Sequence, residues 1–299
     1  MELKLNPAFF LPINSTIVRS FRFSLALSWQ RTVFRFLWSA FPRRAVDRAT
    51  RLLLTPPRQA FSDAEMAMLE EASLLRVPQT SGRLVAWRWG RAADPAVVLA
   101  HGWGGRGTQL RGLIEPLLAR GFSVVTYDAP GHGMSGCGES SLPQFLLGLN
   151  AVLDWLGPVH AIVGHSMGGV VAAMATARRP LVNCAVLIAP PASLIDSTRR
   201  VADALRWPEA LRSAIQQGTE QRFGYRWSEF DAERSSGEQS LLVVHDREDR
   251  DVPISEGRRH QRNWPRARLL ETRGLGHRRV LGDAMVIRAI ADFIAGERP

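Results

Sequence analysis

Lysine is nearly absent: Lys4 is the only lysine among 38 basic residues in this 299-residue chain, and the rest are arginine. Arginine suits phosphate contacts, but so complete an avoidance of lysine reads more simply as codon bias. The formal charge of +10 is therefore no warrant for a nucleic-acid partner, and none is expected. Cysteine is scarce as well. Cys137 and Cys184 are too few for a disulfide framework, and no Cys-x-x-Cys or Cys/His cluster has zinc spacing, so a reducing compartment and a cytoplasmic location are expected. Nor is there an uncharged apolar run of the ~20 residues needed to cross a bilayer, because Arg19, Arg22, Arg31 and Arg35 interrupt the most apolar N-terminal stretch. The same charges fall where an h-region would lie, so no secretory signal is expected. With 45% hydrophobic and 22% charged residues the chain can bury a sizeable core, which excludes global disorder.

What charge there is lies unevenly. Residues 1–60 hold Lys4 and nine arginines against Glu2 and Asp47, a net +8, which leaves +2 for the other 239 residues. From Phe23 to Ala40 the polar residues Ser24, Ser28, Arg31, Arg35 and Ser39 recur at helical spacing, with Gln30 and Thr32 outside the stripe. The remaining perimeter, with Phe23, Leu25, Trp29, Val33, Phe36 and Leu37, is apolar over far more than a core-facing third of a helix. Residues 1–60 thus read as a basic amphipathic arm. It either packs on its own domain or a second subunit, or lies on an anionic membrane surface as a peripheral contact. Pro42, Pro56 and Pro57 read as a linker, and Ser62-Asp63-Ala64-Glu65 as a capping box opening a short helix through Glu71.

Beyond Leu74 strands alternate with helices. Leu74 to Val77 and Leu84 to Trp89, with a turn at Ser81-Gly82, form a hairpin. Apolar runs follow at Ala96 to Ala100, Val124 to Tyr127, Ala161 to Val163, Ala185 to Ile188 and Leu241 to Val244, with a weaker one at Leu269-Leu270. Strands apolar at every position belong to a sheet covered on both faces. Helical segments near 109–120, 142–156, 167–179, 254–263 and 283–295 complete a mostly parallel, doubly wound α/β sheet with a leading antiparallel hairpin. The stretch 191–237 breaks the rhythm and reads as an inserted helical cap within a domain spanning 61–299.

Gly164-His165-Ser166-Met167-Gly168-Gly169 follows an apolar strand and opens a helix. That is the setting of a nucleophile elbow, where the sharp turn needs glycine on both sides and leaves the serine projecting above the sheet. Four further stretches accompany it: His101-Gly102-Trp103-Gly104-Gly105, Asp128-Ala129-Pro130-Gly131-His132-Gly133-Met134-Ser135, His245 to Pro253, and Gly274-Leu275-Gly276-His277. In combination they make residues 74–296 resemble the α/β-hydrolase superfamily of serine hydrolases, esterases and lipases among them. Asp246 departs from the pattern by standing where that family usually has glycine.

A serine hydroxyl needs a base, and His277 is the candidate, with Asp249 to fix its tautomer. The order Ser166, Asp249, His277 is that of the fold. Asp251 is the runner-up acid and Asp196 stands behind it. The resemblance implies that the amides of Trp103 and Met167 form the oxyanion hole. His101 and His165 are expected to orient loops, and His132, His160, His245 and His260 to be structural. Asp128 is expected to tie a loop, Cys137 to be a loop thiol and Cys184 a core filler.

These residues imply cleavage of a carboxylic ester, thioester or amide through an acyl-enzyme, on a small-molecule or lipid-like substrate, with no metal or organic cofactor. One rival keeps the triad but hands the acyl group to an alcohol or amine, as an acyltransferase. The other is a non-catalytic binding protein of the same fold.

Overall fold

Valine, leucine and isoleucine fill the short strands, and their side chains alternate between two cores. The computed structural model describes residues 16–57, 60–79, 82–136 and 138–296; Cys137 and the residue 80–81 part of the expected hairpin turn lie outside these, as do residues 1–15 of the arm. In chain order the elements are α1 (Thr16–Ala40), α2 (Pro42–Leu54), α3 (Asp63–Glu70), β1 (Ser73–Gln79), β2 (Gly82–Trp89) and β3 (Ala96–Ala100). Next come α4 (Ile114–Leu118), β4 (Ser123–Tyr127), α5 (Leu142–Leu156), β5 (Ala161–His165), α6 (Met167–Ala177) and β6 (Cys184–Ile188). The rest are α7 (Leu194–Leu205), α8 (Glu209–Phe223), β7 (Ser240–Asp246), α9 (Ile254–Asn263), β8 (Ala267–Thr272), α10 (Gly276–Arg279) and α11 (Ala284–Ile294).

One eight-stranded sheet runs in the order β1-β2-β4-β3-β5-β6-β7-β8. β1 and β2 pair antiparallel, as do β2 and β4, and every other pair is parallel. Along β3, Val98 and Ala100 enter the core under α5 and α6, while Val97 and Leu99 enter the core with Leu113, Leu117 and Ile290 on the opposite face. The period-two alternation thus buries both faces, the arrangement expected of α/β layers. β3 is flanked by β4, the next strand, on one side and by β5 on the other, so the direction of winding reverses there. In open sheets of this kind ligands bind beyond the carboxyl ends of the strands at such a reversal.

The insertion holds α7 and α8, and against them pack α1 and α2. Phe34, Ala45 and Ala49 share a third, separate core with Ala202, Leu205, Trp207, Leu211, Ile215 and Trp227. Phe34 meets Trp207 edge-on at 4.9 Å, and Arg31 Nε donates to Ala204 O at 2.9 Å.

Two expectations for this region change. The segment after Pro42 is a 13-residue helix rather than a linker, because proline at the first helical turn has the right φ and lacks only an N–H that would go unpaired there. The face of α1 turned inward carries Gln30 and Phe34, while Trp29 and Phe36 stand in solvent. The apolar perimeter is too wide to name the inner face, and Trp207 and its neighbours choose it.

Candidate active site

The β5-to-α6 turn is built around close main-chain approach. A Cβ at Gly164 would collide with Gly168 O, and one at Gly168 with the carbonyls of Ala100 and His101. Ser166 itself takes φ 52° and ψ −120°, a region that side-chain-bearing residues rarely adopt and that costs about 1–3 kcal/mol. The elbow expected from the sequence is present, and it aims Ser166 out from the sheet at the amino end of α6. As the first residue of α6, Met167 has an amide that no helical carbonyl can accept. A Cβ on Gly102 would lie 3.1 Å from the Ser166 Cβ, so the loop after β3 runs directly beside the serine. Within that loop Gly102 N donates to Gln109 Oε1, Gly104 N to His132 Nε2 and Gly105 N to Gly102 O, whereas among the described residues the Trp103 amide has no acceptor.

The loops after β7 and β8 bring the other two candidates together. His277 Nδ1 donates to Asp249 Oδ2 at 2.7 Å, and Asp249 Oδ1 accepts the amides of Asp251 and Val252 at 2.8 and 2.9 Å. Burial alone would raise the Asp249 carboxyl, but the His277 bond and charge and the two amides outweigh it and hold it below the ordinary range. Asp251, the runner-up acid, is exposed, and Asp196 pairs with Arg199 and Arg259 instead. The histidine loop meets the elbow through His165, whose Nε2 donates to His277 O at 3.0 Å with the two rings 4.8 Å apart.

Around this centre stand histidines kept neutral. Burial, joined by the neighbouring His132, lowers His101 to about 3; burial and His277 lower His165 to about 3; and burial lowers His132 to about 4. A neutral ring can donate at one nitrogen and accept at the other. His101 accepts the Ala129 amide at Nε2 and donates to Gly102 O, and His132 accepts the Gly104 amide and donates to Pro130 O. Both thus tie the loop after β3 to the loop after β4. Asp128 holds the same pair, accepting from Gly107 N and Met134 N at 2.6 Å each. Burial raises its carboxyl to about 6 against those two bonds.

Two residues with a part in the site's architecture escape sequence reasoning. Asp246, buried at the end of β7, accepts Glu248 N with one oxygen, and Thr272 Oγ1 and Leu275 N with the other. It laces the Asp249 loop to the His277 loop, a reason for a carboxylate where glycine is usual; the departure itself was the only signal. Glu65 serves the capping box with Ser62 and also accepts Arg106 Nε at 3.0 Å, Arg106 Nη2 at 2.5 Å and Thr108 Oγ1 at 2.5 Å. Burial opposes the charge, yet Arg106, Ser62 and Thr108 lower its carboxyl to about 2. Arg106 and Thr108 are some 40 residues away, and no local pattern announces them. Pro57 closes on the same loop: a Cβ at Gly104 would come within 2.7 Å of its Cγ. Cys184 is buried in β6, where desolvation pushes its thiol up to about 12 and leaves it inert. Among the described residues no group of three or more His, Cys, Asp or Glu could hold a metal ion.

Set beside known proteins, residues 95–274 match the sequence profile of the alpha/beta hydrolase fold family. The chain belongs to the α/β-hydrolase family. Among curated relatives, a serine hydrolase-like protein of Danio rerio is 34% identical over 128 residues, which span 40% of this chain and 39% of that protein. A serine hydrolase-like protein of Homo sapiens is 32% identical over 142 residues, 45% of this chain and 68% of that protein. A pimeloyl-acyl-carrier-protein methyl ester esterase of Xanthomonas campestris is 32% identical over 121 residues, 40% of this chain and 44% of that protein. The chain thus spans less than half the length of the Danio and Xanthomonas proteins. An esterase of Pyrococcus furiosus superposes with a TM-score of 0.62 at 22% identity, covering 81% of this chain and 96% of that one. At such identity the likeness establishes the α/β-hydrolase fold.

Proposed function

We propose that the protein is a serine hydrolase that cleaves a carboxylic ester, thioester or amide through an acyl-enzyme, with carboxylesterase or lipase-like chemistry. The observation that carries the reading is the 2.7 Å bond from His277 Nδ1 to the buried Asp249 carboxylate, in a loop tied by His165 to the strained serine elbow. Nδ1 keeps its proton against Asp249, so Nε2 is the basic nitrogen left for Ser166.

In this mechanism Nε2 takes the Ser166 proton as Oγ bonds to the substrate carbonyl carbon, and the carbonyl π electrons move onto oxygen. The oxyanion receives the Met167 and Trp103 amides, at the positive end of α6. Collapse breaks the bond to the leaving group, which departs with the proton from His277. Water then repeats the sequence: His277 deprotonates it, the acyl–oxygen bond to Ser166 breaks, and the acid leaves as Ser166 regains its proton. The neutral state of His101, His132 and His165 suits this scheme, because no second imidazolium stands beside the one formed on His277. The esterase named among the relatives supports ester chemistry. An acyltransferase would share every step but the last acceptor.

The test is labelling with a fluorophosphonate probe, read by intact mass, on the parent and on Ser166→Ala. One covalent adduct on the parent, none on the variant, and a loss of turnover approaching 10⁶ with an unchanged melting temperature are expected. A Ser166→Ala protein that keeps a tenth of the activity overturns the assignment.

A further inference from the structure

The helical arm has two unlike sides. One is buried: Phe34 and Gln30 face α7 and α8. The other carries Trp29 at 64% and Phe36 at 61% exposure, seven residues apart and so on one face of α1, with Thr32 and Arg35 exposed between them. Phe41, 47% exposed, continues that patch at the α1–α2 corner, its ring 6.3 Å from Phe36. The Arg44 guanidinium sits 5.1 Å from the Phe41 centroid. Arg35, Arg43, Arg44 and Arg51 are exposed and enter no salt bridge among the described residues, and Asp47 is the one acidic residue from 27 to 54.

We propose that this outer face of α1 and α2 docks on an anionic lipid surface, with Trp29, Phe36 and Phe41 entering the headgroup boundary and the arginines pairing with lipid phosphates. Aromatic side chains among guanidiniums that enter no salt bridge among the described residues are the chemistry that such an interface accepts. No described helix is long and apolar enough to cross a membrane, so α1 and α2 would lie on the surface rather than span it. A second copy of the chain fits less well. A two-fold contact through the patch would set Arg35, Arg43 and Arg44 of one protomer near those of its partner, a like-charge juxtaposition that disfavours it. The proposal stands independently of the hydrolase chemistry.

Flotation of the full chain with phosphatidylcholine vesicles, with and without phosphatidylglycerol, at low and at high salt, tests it. Binding is expected only with phosphatidylglycerol and should be released by salt. Replacing Arg43 and Arg44 by Gln should weaken it by about tenfold or more, since each cation near such a surface contributes roughly fivefold. Trp29→Ser with Phe36→Ser should abolish it, all at an unchanged melting temperature, which reads folding without recourse to turnover. Equal binding to neutral vesicles, or variants that float like the parent, overturns the proposal. So does failure to float together with a concentration-dependent dimer, seen by sedimentation, that the Trp29/Phe36 variant loses; that result gives the face to a second copy.

Discussion

Glu65 grips Arg106 through two parallel bonds, Nε to Oε1 and Nη2 to Oε2, so a helix that precedes the sheet fixes the loop carrying Trp103. The pair is bidentate and mostly out of solvent, the geometry in which an arginine–carboxylate contact is strongest. Its carboxyl lies at about 2 in the folded chain, below its ordinary value. Stability from this group is therefore fully present above the ordinary glutamate range and drains away as pH falls through that range toward 2. Buried His101 and His165 also lose stability in acid, because unfolding lets them take up protons below their ordinary value. The informative reading is thus the difference between parent and Glu65→Gln. Melting temperatures of the two should converge between pH 5 and pH 2, by about two units of pH below the glutamate range. A gap that stays constant across that range refutes the assignment.

The same clamp should be felt in turnover. Glu65→Gln leaves the Ser166, His277 and Asp249 side chains untouched, so kcat should fall about ten- to a hundredfold with KM little changed. A change confined to KM would mean that the loop does not serve the oxyanion.

Asp249→Asn should lower kcat by about 10⁴ while leaving the fold intact, because an amide facing His277 favours the wrong tautomer. Asp251→Asn, at an exposed position, should change little. Steady-state rates on an activated ester decide between them, and the reverse outcome moves the acid to Asp251.

Asp246→Gly restores the residue usual in the family but strands the Glu248 and Leu275 amides and the Thr272 hydroxyl. Leaving such groups unpaired should cost about 2–4 kcal/mol in urea unfolding. Equal stability would show that Asp246 does not lace the two loops.

Phe34→Ala empties a site that is 1% exposed and pressed on Trp207. A loss of about 3–5 kcal/mol is expected for the transition that reports on the insertion. Trp fluorescence during urea unfolding measures it, and a loss below 1 kcal/mol would mean that α1 does not pack there.

The central parallel strands were legible because they are short, almost wholly apolar runs, so their places along the chain and their two-sided burial could be read without knowing any contact, whereas their order across the sheet could not. The elbow was legible because strand, glycine spacing and helix coincide within ten residues. Asp249 and His277 were nominated by the resemblance of their loops to the family's acid and histidine loops, and the structure brings those two side chains together. What escaped is long-range. Pro42 looks the same whether it opens a helix or ends one, and Glu65 had a sufficient local explanation as a cap. The burial of Gln30 in place of Trp29 depends on which face of α1 meets Trp207, and periodicity in a helix apolar almost all round does not specify it.

α1 ends at residue 40, and the helices that cover its inner face begin at residue 194. A ribosome adding about 5–20 residues per second needs roughly 8–30 s to make what lies between. For that interval Phe34 and its neighbours have emerged without their partners, while the sheet has begun to assemble behind them. The first described helix to be made is among the last to be satisfied. Its survival during synthesis depends on how fast translation reaches Trp207, and a slow codon between the two would lengthen the exposure more than one placed after Trp227.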